Sequence, residues 1–418
     1  SHIRLALLLE CATAIHMAAD EKALAEAVIE AAVSGTGFAN AAILRSITDS
    51  DQVEILAHRG AILAGGQPRL SRSLVRQAAE GVPARLEHGG TSASTAHSLI
   101  ELNIGEALCI PLMLENTAAG FIYLDHRGAD AIRRRVFDDA ADYAAGLARV
   151  ASLALANLRR LDVERRHARM QAELSAAGRM QSMLLPPREG SCGIFTYTGE
   201  SRPGRYVGGD FFDVIPLADG RLAVALGDVA GKGVEASVLI TASQGFLHAA
   251  LQQHGDVGRA LTDLNRYVHP RCPLGKFITM WVGVFDGGSR TVEYVDAGHG
   301  HAVFALPDGS FADIGTEKHF PIGIMEDTAY TAHRVPLPEG GRALVISDGL
   351  IEEPAPDGRR GEDGRIEQFS MEGVRSALAS IAPGEDEVSA LFRAIRAYAG
   401  QESLQDDATA VVIRWAGQ

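Results

Sequence analysis

Gly208-Gly209-Asp210-Phe211-Phe212-Asp213, taken together with Leu226-Gly227-Asp228-Val229-Ala230-Gly231-Lys232-Gly233, decides the fold. Each stretch sets a carboxylate beside glycines, at the end of or within an apolar run that alternates as a strand does. Asp210 and Asp228 stand on neighbouring strand candidates able to pair as a hairpin, which would bring both carboxylates to one end of a sheet. Two later stretches look alike: Ala343-Leu344-Val345-Ile346-Ser347-Asp348-Gly349 runs as a strand into an acid, and Asp406-Asp407-Ala408-Thr409-Ala410-Val411-Val412-Ile413 as an acid pair into a strand. One Asp-Gly is an ordinary turn. Acids at strand ends, with no His or Cys at ligand spacing beside them, point instead to an oxygen-only cage for hard divalent cations. Acids in a sheet interior are costly to desolvate unless a cation compensates them. Two such ions about 3.5–4 Å apart clamp a phosphoryl group and acidify a water.

A chain of 418 residues exceeds one ordinary core and predicts two or three domains. Its 46% apolar and 22% charged residues are those of a soluble globular protein. The net charge of −14 argues against non-specific nucleic-acid binding. Cys11, Cys109, Cys192 and Cys272 show no paired spacing, so they read as buried thiols in a reducing compartment. The apolar run at residues 5–15 is interrupted by Glu10 and passes into amphipathic sequence, unlike a secretory signal. No run approaches the roughly 18–20 apolar residues that cross a bilayer, and the expected compartment is the cytoplasm, with no membrane insertion.

Residues 3–34 predict one or two helices, with Leu5, Leu8, Ile15, Leu24, Val28 and Ile29 at helical intervals. Strands are expected at 41–48 and 52–57, a helix at 68–80 with Ser71 and Ser73 near its start, and a loop at 89–95. Residues 107–114 and 120–125 read as a strand pair joined at Glu115-Asn116-Thr117. The whole is a small α/β domain over residues 1–150. Its order of elements resembles a GAF sensor domain, chiefly through Ala107-Leu-Cys-Ile-Pro-Leu-Met-Leu-Glu-Asn-Thr-Ala-Ala-Gly-Phe-Ile-Tyr-Leu-Asp125. The Asn-Lys-Phe-Asp-Glu signature of cyclic-nucleotide-binding members has no counterpart, so that ligand is not implied; a PAS-like sensor is the second reading. His88 and His97 are ligand-contact candidates, with solvated loop histidines as the plainer reading.

Residues 136–185 hold no proline and only Gly146 and Gly178, which predicts one long helix. Its later part carries a seam of Leu153, Ala156, Arg160, Val163, His167, Met170, Leu174, Ala177, Gln181 and Leu184. One register of that seam is apolar; the other is broken by Arg160, His167 and Gln181. The expectation is a weak parallel coiled coil over 151–187 that makes a homodimer and can change register; a solvated helix packed on its own domain is the alternative. Pro186-Pro187 ends it. In the third domain, 188–418, strands come in runs with helices inserted in groups (234–252, 257–268, 371–381, 386–399), the signature of a layered α+β domain.

Here the motifs reach a known family. Gly209-Asp210-Phe-Phe-Asp213, Gly227-Asp228-Val-Ala-Gly-Lys-Gly233, Asp296-Ala-Gly-His299, Ser347-Asp348-Gly349 and Asp406-Asp407-Ala-Thr409 resemble the PPM metal-dependent serine/threonine phosphatases. The closer likeness is to the bacterial RsbU/SpoIIE-like branch, which the lead-in Glu173-Leu174…Ala177…Met180-Gln181…Leu184-Leu185-Pro186 shares. The resemblance covers residues 173–418. It implies an α-β-β-α sandwich and two Mn²⁺ or Mg²⁺ ions bridged by Asp228, with the Val229 carbonyl on one of them. Asp210, Asp348 and Asp406 would complete the catalytic cage, with Asp407 and Asp213 as less central acids. It further implies in-line attack by a metal-activated water on a phosphorylated serine or threonine of an anti-sigma-factor antagonist, under control of a small-molecule or protein signal at the sensor. Arg202 and Arg205 are phosphate-contact candidates. His299 and His301 could protonate the leaving hydroxyl, though a structural role is favoured. Two rivals remain: a scaffold that kept the fold without activity predicts a missing cage acid, and a diguanylate cyclase wants an acid where Phe211 stands.

Overall fold

The computed structural model describes residues 10–416 apart from 47–52, 65–66, 87–103, 128–138, 205, 232, 273–274, 316, 362–363, 383 and 402–403. His88, His97, Leu5, Leu8, Arg205 and the loop 89–95 lie outside the described residues. The chain divides into two units, Ser1–Ala168 and Arg169–Gln418. No helix among the described residues is long and apolar enough to cross a membrane.

The first unit opens with a helical turn at 10–16 and the helix Glu21–Thr36. Asp20 accepts the Ala23 N–H at 2.8 Å to start that helix, and Gly37 ends it at φ 81°, a conformation glycine adopts without Cβ strain. The strands β1 (Asn40–Ser46), β2 (Val53–Arg59), β5 (Ala84–Leu86), β6 (Ile104–Leu114) and β7 (Thr117–Arg127) form an antiparallel sheet ordered β2-β1-β7-β6-β5, with β3 (Leu63–Ala64) and β4 (Gln67–Pro68) as a small separate pair. The expected hairpin is β6–β7, turning at Glu115-Asn116. Alternation gives the sheet two apolar faces. Ile43, Ile110, Ile122 and Leu124 meet Leu24, Val28 and Ile29 of the helix Glu21–Thr36 and Tyr143, Leu147, Ala151 and Leu155 of a later helix. Leu44, Cys109, Phe121 and Tyr123 on the other face cover the helix Arg72–Ala78.

That later helix is continuous from Ala140 to Ser182. Ala151, Ala154 and Leu155 are buried in the first unit's core, within the stretch read as linker. By contrast the seam residues Leu153, Val163 and Met170 are 69%, 60% and 60% exposed in the single chain.

The second unit stacks two antiparallel sheets between helices. One sheet runs β10-β11-β12-β13-β16, from β10 (Asp210–Pro216), β11 (Leu222–Val229), β12 (Ile278–Asp286), β13 (Thr291–Ala297) and β16 (His333–Pro336). The other runs β15-β14-β17-β18-β9-β8, from β8 (Glu189–Cys192), β9 (Phe195–Arg202), β14 (Ala302–Ala305), β15 (Phe311–Asp313), β17 (Arg342–Ile346) and β18 (Ala408–Trp415). Phe212, Val224, Leu226 and Trp281 meet Phe195, Val345, Val411 and Ile413 between the sheets. The outer face of the first sheet packs on the helices Val234–His254 and Val257–Val268, and that of the second on Ser370–Ala379 and Glu387–Ala399. This is the α-β-β-α order expected of residues 188–418.

Candidate active site

Strand alternation explains why the acids converge. On β10, Phe211 and Ile215 face the helices while Phe212 and Val214 face the second sheet, so Asp210 points between the sheets. On β11 the same rule turns Asp228 inward beside Leu226. The two strands are in register with Asp210 directly opposite Asp228. Across the interlayer, β17 ends just before Ser347-Asp348 and β18 begins just after Asp406-Asp407. These two ends approach closely at Gly349, where any Cβ would come 1.9 Å from the Asp407 carbonyl oxygen.

Neighbours fix each acid. The Thr409 hydroxyl lies 2.8 Å from Asp210 Oδ2 and 2.8 Å from Ser201 Oγ; having one proton, it donates to the carboxylate and accepts from the serine. Ser347 Oγ in turn accepts the Thr409 N–H at 2.9 Å. Asp406 Oδ1 accepts the Asp407 N–H at 2.9 Å. Asp407 spends its oxygens on backbone, taking the Gly204 N–H at 2.8 Å and the Gly209 N–H at 2.5 Å. Val229 is buried, and its N–H donates to the Gly209 carbonyl at 3.2 Å. Asp213 faces the other way: Oδ2 lies 2.7 Å from Nδ1 of His248 on the helix Val234–His254, apart from the other acids. Arg202 is committed to Glu200 and to the ring of Phe392.

The electrostatics are those of uncompensated negative charge. Burial, then the charges of Asp228 and Asp407, push Asp210 well above the usual carboxylate range. Burial, then Asp348 and Asp407, push Asp228 up to about 7. Asp228 and Asp348 line a pocket of about 130 Å³ with Thr279, Gly298, His299, His301 and Glu352. Asp348 and Glu352 also line the adjoining pocket, which Asp406 closes. Asp296 accepts the His299 N–H at 2.7 Å and the Gly300 N–H at 3.0 Å, fixing the turn that presents both imidazoles. Burial holds His299 down to about 3 and lowers His301, so the His299 imidazole is neutral at pH 7. Glu352 and Glu353 were not singled out in the sequence; Glu353 is buried and accepts the Gln405 N–H at 3.0 Å, setting the loop before Asp406.

The donor set fits a hard divalent cation. It is all oxygen, its charge is uncompensated, and the pocket wall holds an unmet polar atom, Nε2 of buried His299. Among the described residues no three acidic, His or Cys side chains are grouped closely enough to hold an ion as they stand. An ion that keeps much of its water and takes only one or two direct carboxylates, as Mg²⁺ does, suits such a set.

Residues 218–416 match the family model described as stage II sporulation protein E (SpoIIE). The second unit is therefore a phosphatase domain of the PP2C, or PPM, class. Within that class the match is to the SpoIIE family, and the likeness supports the RsbU-like branch. Among curated relatives, phosphoserine phosphatase RsbP of Bacillus subtilis is 26% identical over 155 residues, 35% of this chain and 37% of that protein. Protein IcfG of Synechocystis is 22% identical over 211 residues, 44% of this chain and 33% of that protein. The chain thus spans about a third of the length of these relatives. Similar solved structures include the PP2C domain of SiaA from Pseudomonas aeruginosa, at 20% identity and a TM-score of 0.49 over 60% of this chain and 98% of that one. The RsbU and RsbW domains of a Mycobacterium tuberculosis protein match at 27% identity and a TM-score of 0.45, over 54% of this chain and 62% of that one.

Proposed function

We propose that the chain is a cytoplasmic, signal-regulated phosphatase that hydrolyses phosphoserine or phosphothreonine on a partner protein, an anti-sigma-factor antagonist, using two Mn²⁺ or Mg²⁺ ions. The observation that carries this reading is the in-register pair Asp210–Asp228, buried and short of positive charge, with Asp348 and Asp406 at adjoining strand ends of the other sheet. Bound there, divalent cations supply charge neutralisation for the phosphoryl oxygens and an acidified water. The protein's part is to hold and orient. Asp210 and Asp228 present oxygens from one sheet, Asp348 and Asp406 from the other, and the Thr409 hydroxyl fixes the face Asp210 offers. Asp407 and Val229 fasten the Gly204–Gly209 turn to the sandwich. All four proposed cage acids are in place, which favours this reading over an inactive scaffold, and the Asp348 and Asp406 ends have no place in a cyclase.

In the same reading the first unit is a GAF-like sensor and the helix Ala140–Ser182 joins two chains through its exposed seam. RsbP is itself named a phosphoserine phosphatase, which supports the substrate class. The test is phosphate release from a panel of serine- and threonine-phosphorylated antagonist proteins, with and without Mn²⁺. Release from at least one phosphoprotein with Mn²⁺ only is the expected result; an aryl phosphate cleaved while every phosphoprotein is refused would overturn the substrate assignment.

A further inference from the structure

Beside the acid pocket runs a loop, residues 317–326, whose backbone is tied along its length while three large apolar side chains face water. Asp296 joins loop and pocket: its carboxylate fixes the turn that carries His299 and His301, and its carbonyl accepts the His319 N–H at 2.7 Å. Ile322 is buried and exchanges both backbone hydrogen bonds with Ile278, at 2.8 and 2.9 Å. Buried Asn265 accepts the Gly323 N–H at 2.8 Å and donates to the Met325 and Glu326 carbonyls at 2.8 and 3.0 Å. The Tyr330 hydroxyl donates to the Phe320 carbonyl at 3.0 Å. Yet Phe320, Ile324 and Met325 are 59%, 45% and 51% exposed. A backbone so anchored cannot fold these side chains inward, and apolar groups gathered at a surface mark an interaction site.

The loop backs the pocket wall. Gly298 lines the pocket, and any Cβ there would come 2.7 Å from Pro321 Cγ. Gly300, in the same turn, lies against Lys318, whose Nζ would stand 3.1 Å from a Cβ at that position. Lys318 is exposed, and its charge reaches His299 and His301.

We propose that this loop is a docking ledge for the phosphoprotein: Phe320, Ile324 and Met325 take an apolar residue, and Lys318 an acidic one, from the chain that flanks the phosphorylated side chain. This rests on the phosphoprotein reading above. A phosphoryl group in the pocket brings its own backbone to the pocket mouth, and its neighbours, at about 3.3 Å per extended residue, come within reach of the loop behind the wall. A ledge already ordered before docking lowers the entropy cost of the encounter. A small aryl phosphate has no flanking chain and cannot use the ledge.

The test uses the full chain with Mn²⁺ and takes the ratio of kcat/KM on the panel phosphoprotein it hydrolyses best to kcat/KM on an aryl phosphate. One variant is Lys318→Gln, the other Phe320→Ala combined with Met325→Ala. Both remove exposed side chains and keep the anchoring hydrogen bonds, which meet the loop through its backbone. In each variant the ratio is expected to fall about tenfold, the scale of losing a strong interface contact, with the loss carried by KM for the phosphoprotein. A ratio within about twofold of wild type in either variant overturns the inference and leaves the phosphoprotein reading standing. A wild-type chain that cleaves the aryl phosphate and no phosphoprotein overturns that reading and the ledge with it.

Discussion

At Asp228 the burial that makes a carboxylate costly is what makes it useful: it lifts the group to about 7, and a bound cation would hold it fully charged at neutral pH. Asp228→Asn is expected to lower the rate of phosphate release at least a hundredfold, about 2.7 kcal/mol of barrier. A loss under tenfold, about 1.4 kcal/mol, would remove Asp228 from the centre of the site. A second buried acid does purely structural work. Glu387 accepts from Arg342 at 3.0 Å and from Arg414, its own carboxyl almost enclosed. Burial alone would push Glu387 up, but Arg414 and Arg342 hold it below its ordinary 4.5. A carboxylate with a depressed folded-state pKa adds stability in full above its unfolded value and loses it as pH falls through the folded one. Urea unfolding should therefore show Glu387→Ala less stable by about 3 kcal/mol at pH 7, with the gap to wild type narrowing below about pH 4.5. The proposed cage acids were legible in the sequence because each stands at the end of an alternating apolar run, where a carboxylate has no ordinary reason to be. Glu352 and His248 were not, and Gln181 was read only as a seam position, because a polar residue on a helix or loop reads the same whether it meets water or a group far along the chain.

At the scale of elements, the β10–β11 hairpin was fully readable: alternation fixed which side chains face in, and a slip of one residue would have turned Asp210 away from Asp228. The helices Val234–His254 and Val257–Val268 were readable for the same reason at the helical period. The short strands β8, β15 and β16 were not, since four residues or fewer at a sheet edge carry too little pattern. Strand β10 starts only at Asp210, because the preceding turn gives its N–H groups to Asp407 and Gln181 instead of a neighbouring strand. The long helix was readable as a helix, and its seam remains a proposal about two chains. Met170→Glu combined with Leu174→Glu should shift the particle from two chains to one in light scattering; an unchanged dimer would place the interface elsewhere. Four residues inserted after Arg166 break the seam's phase and should change basal activity strongly, whereas seven keep it and should restore it. Equal activity of the two insertions would make the helix a passive tether.

At the scale of the molecule, the two stacked sheets each contribute two of the four proposed cage acids. Four motifs recurring in order imply that convergence, whereas any one of them alone is compatible with an ordinary turn. Stacking also puts like charges together, so folding and cation binding should be linked. Mn²⁺ is expected to raise the melting temperature of the wild type and to leave that of Asp210→Asn with Asp228→Asn nearly unmoved; equal shifts would place the bound ion elsewhere. The most direct measurement is hydrolysis of an activated aryl phosphate by the purified chain, with Mn²⁺ and after complete chelation. The structure predicts steady turnover with Mn²⁺, none after chelation, and recovery when the metal is returned. Turnover that survives complete removal of divalent metal would contradict the metal-dependent mechanism.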